Sequence, residues 1–144
     1  MTTSFQSPKV LPLREAPIAR PSTVPAVFRA AARIIAANGL YKGDFVPDAF
    51  DREMCIPHFL RPMSIVAALK CATTGDPHHT SLLADAAISV LALRLEVDGE
   101  GPLFGGVFDL EAHVDAWGDV ESRSMESAVA VLEAAADASE AVSL

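Results

Sequence analysis

The sequence predicts an all-α fold, a compact bundle of four to five helices with two long loops and a Pro-rich N-terminal arm. Apolar residues recur at helical spacing in several segments, and no segment alternates apolar and polar residues long enough to predict a sheet. The chain has 144 residues, 51% of them hydrophobic and 21% charged, which is typical of one globular domain. We therefore expect an arm over residues 1–22, a single helical domain over residues 23–140 and a C-terminal tail over residues 141–144.

The predicted helices begin at capping residues and end at glycine or at another turn signal. Thr23, with Pro25 in the first turn, marks the start of the first helix, and Asn38-Gly39 marks its end. The second helix is apolar nearly all round, with Lys70 as the late exception, and this pattern predicts a central position. The expected helices cover about residues 24–38, 62–75, 76–97, 109–117 and 125–138.

Two loops, residues 40–61 and 99–108, carry aromatic side chains that fall outside the helical stripes. Loops do not normally expose so many aromatic rings, so we expect these rings to cover an apolar ligand or to form a surface for a partner. Trp117, the only tryptophan, is expected either to plug the core beneath the last helix or to form one wall of an apolar pocket. The expected ligand-binding residues are Phe45, Phe50, Phe59, Phe104, Phe108 and Trp117.

The first loop also carries titratable side chains that can perform acid–base chemistry. Clustered carboxylates raise one another's pKa, and an imidazole exchanges protons near neutral pH. The candidate catalytic residues are His58, Asp51, Glu53 and Tyr41, with the tyrosine in an orienting role. The alternative is a solvated loop that uses Asp in its turns. Cys55, three residues before His58, is either a nucleophile beside its base or a buried free cysteine.

Several classes of activity lack their sequence signatures. The chain contains no Walker loop, no Gly-x-Gly-x-x-Gly motif after a strand, no Gly-x-Ser-x-Gly and no His-Glu-x-x-His. Cys55 and His58 have the spacing of a pair of zinc ligands, but no second Cys/His pair at such spacing accompanies them. The sequence therefore predicts no metal site and no cofactor.

The net charge of −8 is unevenly distributed along the chain. Residues 1–62 hold eight Lys/Arg and five Asp/Glu, whereas residues 63–144 hold three and fourteen. The acidic balance argues against nucleic-acid and anionic-membrane partners. The basic N-terminal part can bind the acidic C-terminal part within one chain or between two chains. The second case predicts a homodimer formed through the arm. With no unbroken apolar segment for targeting or membrane insertion, we expect a cytoplasmic protein.

Three segments resemble a small family of actinobacterial and phage helical proteins of unknown function. These segments are Phe28–Gly39, an alanine-rich helix ending at Gly; Pro62–Ala72, a short central helix; and Trp117-Gly118-Asp119, a turn before the final helix over Ser124–Ala136. The family turn usually reads Trp-Asn-Asp, and its central helix usually carries Cys-Ala near the positions of Met63-Ser64. The resemblance implies a helical fold and brings no known activity.

The function we expect first is that of a small helical binding or accessory protein, whose apolar pocket or surface takes a hydrophobic small molecule or a protein partner. The alternative is a cofactor-independent enzyme of the cyclase, isomerase or dehydratase type, acting on an apolar metabolite in actinobacterial specialised metabolism. A third hypothesis is a phage-derived regulatory protein that binds another protein through its acidic helices. The sequence leaves open whether any catalysis occurs.

Overall fold

The structure is a computed structural model that describes residues 20–42 and 61–142, and within them five α-helices form one bundle. The helices are α1 (Val24–Asn38), α2 (Ile65–Thr74), α3 (Leu82–Arg94), α4 (Val107–Asp119) and α5 (Met125–Val142). The described ranges contain no strand, only isolated bridges that pair Leu40 with Met63 and Val97 with Glu100. The all-α prediction is therefore confirmed.

Hydroxyl side chains set the starts of the first three helices. Thr23, Ser64 and Ser81 each accept a hydrogen bond from the backbone N–H three residues further on, which satisfies a donor that the helix leaves free. α2 thus begins at Ile65 rather than near residue 62, because the preceding residues pair with the segment after α1. α1 begins and ends at the predicted residues.

α3 begins at Leu82, later than the start expected near residue 76. Asp76 instead closes a separate turn, in which its carboxylate accepts the N–H of His78 at 2.8 Å. Ser81 then caps the helix itself. α5 continues to Val142, beyond the end expected at residue 138.

α2 is the central helix of the bundle, as its apolar surround predicted. Every side chain from Ile65 to Ala72 is buried, and α1, α3 and α4 all contact this helix. α5 packs mainly against α1, also contacts α3, and closes the core with Leu132 and small alanine side chains. Within the described ranges no helix is both long and apolar enough to cross a bilayer.

Candidate functional site

The described residues include part of the predicted site. Tyr41, Phe104, Phe108 and Trp117 have described positions. The other predicted site residues, His58, Asp51, Glu53, Phe45, Phe50 and Phe59, lie outside the described residues, as does Cys55. The loop chemistry expected from them therefore stays a prediction.

Tyr41 lies in a short extended segment that ties three elements together. Its backbone N–H donates to the carbonyl of Met63 at 2.9 Å, just before α2. The adjacent Lys42 Nζ donates to the carbonyls of Val120 and Glu121 at 2.9 and 3.2 Å, at the C-terminal end of α4. A cation in this position satisfies free carbonyls and complements the helix dipole.

Trp117 lies in the core beneath an arginine. The side chain is 8% exposed and belongs to the cluster of buried apolar residues. The Arg123 guanidinium lies 3.9 Å from the ring centroid, and its Nε donates to the Trp117 carbonyl at 3.1 Å. The cation–π contact and the hydrogen bond together fix the turn between α4 and α5.

Phe104 and Phe108 lie on the surface at the start of α4. Together with Leu103 and Val107 they form an exposed group that we call the apolar patch. The exposed fractions are 78% for Leu103, 69% for Phe104, 47% for Val107 and 83% for Phe108. A Cβ added at the intervening Gly105 would meet no atom within 4 Å, so the surface between the rings is open. Exposed apolar side chains grouped within so few residues are typical of interaction sites on folded proteins.

The apolar patch lies in a strongly acidic part of the chain. Between residues 95 and 122 there are eight Asp/Glu and no Lys or Arg. Glu96, Asp98, Glu100 and Asp109, which flank the patch in sequence, are all exposed. Their negative field favours a partner or ligand segment that carries positive charge.

A second polar group, which the sequence analysis did not single out, lies between α2 and α4. Lys70 Nζ and Glu111 Oε2 are 3.2 Å apart, and their side chains are only 9% and 12% exposed. On the next turn of α4, the Asp115 carboxylate accepts the N–H of Val66 at 3.4 Å and a hydrogen bond from the Ser64 side chain. We call Ser64, Lys70, Glu111 and Asp115 the polar layer.

Asp115 has the properties of a group that exchanges its proton near neutral pH. Burial, together with the nearby Asp119 and Glu111 carboxylates, raises the pKa of its carboxyl from 3.8 to about 7. The hydrogen bonds from Val66 and Ser64 act in the opposite direction and are outweighed. Shifts of this kind occur at acid–base sites, although ion pairs that only support the fold also produce them. The signal in the sequence was the spacing of Glu111, Asp115 and Asp119, which places three carboxylates on one face of α4.

Two other reactive groups have ordinary surroundings. Cys71 is a buried thiol in α2, and burial raises its pKa, so the unreactive protonated form dominates. The Asp76 carboxylate lies 2.7 Å from His79 Nδ1 in an exposed turn, and the backbone hydrogen bond from His78 lowers the pKa of Asp76. Across the two described ranges, no three His, Cys, Asp or Glu residues are grouped so that they could hold a metal ion.

Comparison with known proteins identifies the family of the chain. A family model described as a family of unknown function (DUF6197) matches residues 19–138. The match covers most of the chain, including the apolar patch and the polar layer, and the chain belongs to this family. The expectation of a helical family without a known function is therefore confirmed. No curated protein and no solved structure matches the chain.

Proposed function

We propose that this member of the DUF6197 family is a small binding or accessory protein that holds a protein partner on its apolar patch. The observation that carries the proposal is the exposure of four large apolar side chains within six residues, from Leu103 to Phe108. Exposed aromatic rings at the centre of a surface are the usual anchors of protein interfaces. Burial of both rings contributes roughly 3–6 kcal/mol before the cost of association is subtracted.

The surroundings of the patch define the partner. The partner must offer an apolar groove on its surface, because the rings of Phe104 and Phe108, near the start of α4, are mostly exposed to solvent. The rim of that groove must carry Lys or Arg to match the exposed acidic side chains that flank the patch. A hydrophobic small molecule is the weaker occupant, because a ligand site normally encloses most of the ligand surface.

The test compares paired serine substitutions at two exposed apolar surfaces. Phe104→Ser/Phe108→Ser removes the patch, and Leu82→Ser/Leu93→Ser is the matched control, since these α3 side chains are 89% and 74% exposed. All four positions are exposed, so we expect neither variant to change the fold. We expect the wild type and the control to retain the same proteins from the source cell extract, and the patch variant to lose at least one.

The retained protein is then purified and its affinity measured directly. The patch variant should bind it roughly 100-fold or more weakly than the control does, and added salt should weaken the wild-type complex. Equal binding by the patch variant and the control would refute the proposal.

A cofactor-independent enzyme is the second candidate, and the polar layer favours it. A carboxyl with a pKa of about 7 can give and take a proton during a cyclase, isomerase or dehydratase reaction on an apolar metabolite. Asp115 would then be the acid–base group, either together with His58 or instead of it, of an enzyme in actinobacterial specialised metabolism. The test is deuterium uptake from D₂O into apolar metabolites of a cell extract, followed by mass spectrometry. Uptake that Asp115→Asn abolishes supports catalysis, and uptake equal to that of a protein-free sample contradicts it.

Two further expectations from the sequence stay predictions. One is a cytoplasmic location, and the other is a homodimer formed through the arm.

A further inference from the structure

The described chain begins at a fixed point on the bundle. The Arg20 Nη1 donates to the carbonyl of Thr73 at 3.3 Å, at the C-terminal end of α2. The same guanidinium covers Gly75, where an added Cβ would lie 2.8 Å from Nη2. An arginine in this position satisfies a carbonyl that the helix leaves free and complements the helix dipole. The described residues therefore begin beside this end of α2.

The apolar patch lies at the same end of the bundle. Val66 contacts Asp115 and Lys70 contacts Glu111, so four residues forward on α2 correspond to four residues back on α4. The two helices are thus antiparallel. A further four residues along each helix place Val107, the first residue of α4, level with Thr74, the last residue of α2. Packed helices are separated by about 8–10 Å. The patch and the Arg20 anchor therefore lie at the same end of two packed helices.

The composition of residues 1–19 complements the patch and its acidic border. Apolar side chains occur at Phe5, Val10, Leu11, Leu13 and Ile18. Lys9 and Arg14 give positive charge, with Glu15 as the one acidic residue of the segment. Six extended residues span about 20 Å, roughly twice the spacing of two packed helices, so residues 14–19 are long enough to cross from one helix to the next and leave residues 5–13 to bind the patch.

We infer that residues 1–19 bind the apolar patch of their own chain and compete there with the protein partner. The competitive part of this inference rests on the proposed function. A short tether gives a local concentration of order mM. If the dissociation constant of residues 1–19 for the patch is about 0.1 mM, these residues occupy the patch in roughly nine-tenths of the molecules. The partner then binds about tenfold more weakly than it would bind an open patch.

The test uses the full chain with a fluorine label on the patch. Trifluoromethyl-phenylalanine replaces Phe104, and the broadening of its fluorine NMR signal by a soluble neutral gadolinium chelate measures how exposed that ring is. The variant Val10→Ser/Leu11→Ser/Leu13→Ser removes the apolar contacts of the arm. Gln6→Ser/Ser7→Ala changes polar residues of the same segment and is the matched control.

We expect a several-fold increase in broadening for the apolar arm variant and none for the control. The charge reversal Lys9→Glu/Arg14→Glu should give an increase too, and added salt should do the same in the wild type. A label in place of Leu93, on α3, should be insensitive to every arm variant. Unchanged broadening at position 104 in both the apolar and the charge variants would overturn the inference.

Protein concentration distinguishes the same chain from a second copy. Protection of the label should be equal in dilute and concentrated samples, because the arm and the patch belong to one molecule. Protection that disappears on dilution would assign the arm to a second copy and overturn the inference in this form. No partner is present in this experiment, so its failure and the failure of the proposed function are separate results.

Discussion

Substitution of Asp115 by Asn should change how the stability of the protein depends on pH. The folded-state pKa of about 7 lies above the usual value of 3.8. The folded state therefore holds this proton more tightly than the unfolded state does, and the stabilisation from it is lost as the pH rises through about 7. Asn has the same shape and stays neutral, so the variant avoids the cost of ionising the buried group.

The size of the effect follows from the difference between the two pKa values. The difference between 3.8 and about 7 corresponds to roughly 4 kcal/mol over the whole titration, and about 2–3 kcal/mol of it falls between pH 5 and 8. The free energy of unfolding of the Asn variant should rise by that amount relative to the wild type over this pH range.

Urea unfolding, followed by the fluorescence of Trp117, measures this free energy at each pH. The control is Asp109→Asn, which changes an exposed carboxylate in the first turn of the same helix. Its curve should run parallel to that of the wild type between pH 5 and 8. The reasoning is refuted if the Asp115→Asn curve is parallel as well.

Three other substitutions test contacts that hold the bundle together. Lys70→Met leaves Glu111 buried without its cation and should lower the free energy of unfolding in urea by about 3–5 kcal/mol. The double variant Lys70→Met/Glu111→Leu should recover most of this loss. Equal losses in the two variants would contradict the pairing. Ser64→Ala removes the cap of α2 and should lower the free energy of unfolding by about 1 kcal/mol. An unchanged free energy of unfolding would show that the cap does not stabilise the fold. Arg29→Met should lower the melting temperature at low salt, and the difference from the wild type should shrink at high salt; a salt-independent difference would point to packing instead.

The helices were predictable where one local signal marks each end. α1 lies between a Thr cap with an early proline and the Asn38-Gly39 stop, and both signals act within a few residues. α3 was placed too early because Asp76-Pro77 also looks like a helix start. In the structure the Asp76 carboxylate closes a turn, and the helix starts at the second cap, Ser81. The sequence alone does not tell which of two neighbouring capping residues starts the helix, because the answer depends on which turn fits the rest of the bundle.

The candidate site was predictable only in part. The rings at positions 104 and 108 were predictable because they fall outside the expected helical stripes, although Phe108 lies in the first turn of α4, which begins before the expected residue 109. The polar layer was missed because its contacts join residues far apart in sequence, such as Val66 and Asp115, which are separated by 49 positions. Such a pair appears only when the register of α2 against α4 is known, and periodicity within one helix carries no information about register.

The first and last helices of the bundle lie side by side, which has a consequence for the order of assembly. The Arg29 guanidinium bonds Glu133, Asp137 and Glu140 across 104 to 111 positions of chain. During synthesis α1 can therefore meet α2 early, but the part of its apolar face that α5 covers stays exposed until α5 has left the ribosome. A nascent chain, or one cut short before α5, exposes that apolar face, so for this fold the need for chaperones and the susceptibility to degradation should depend on the synthesis of α5.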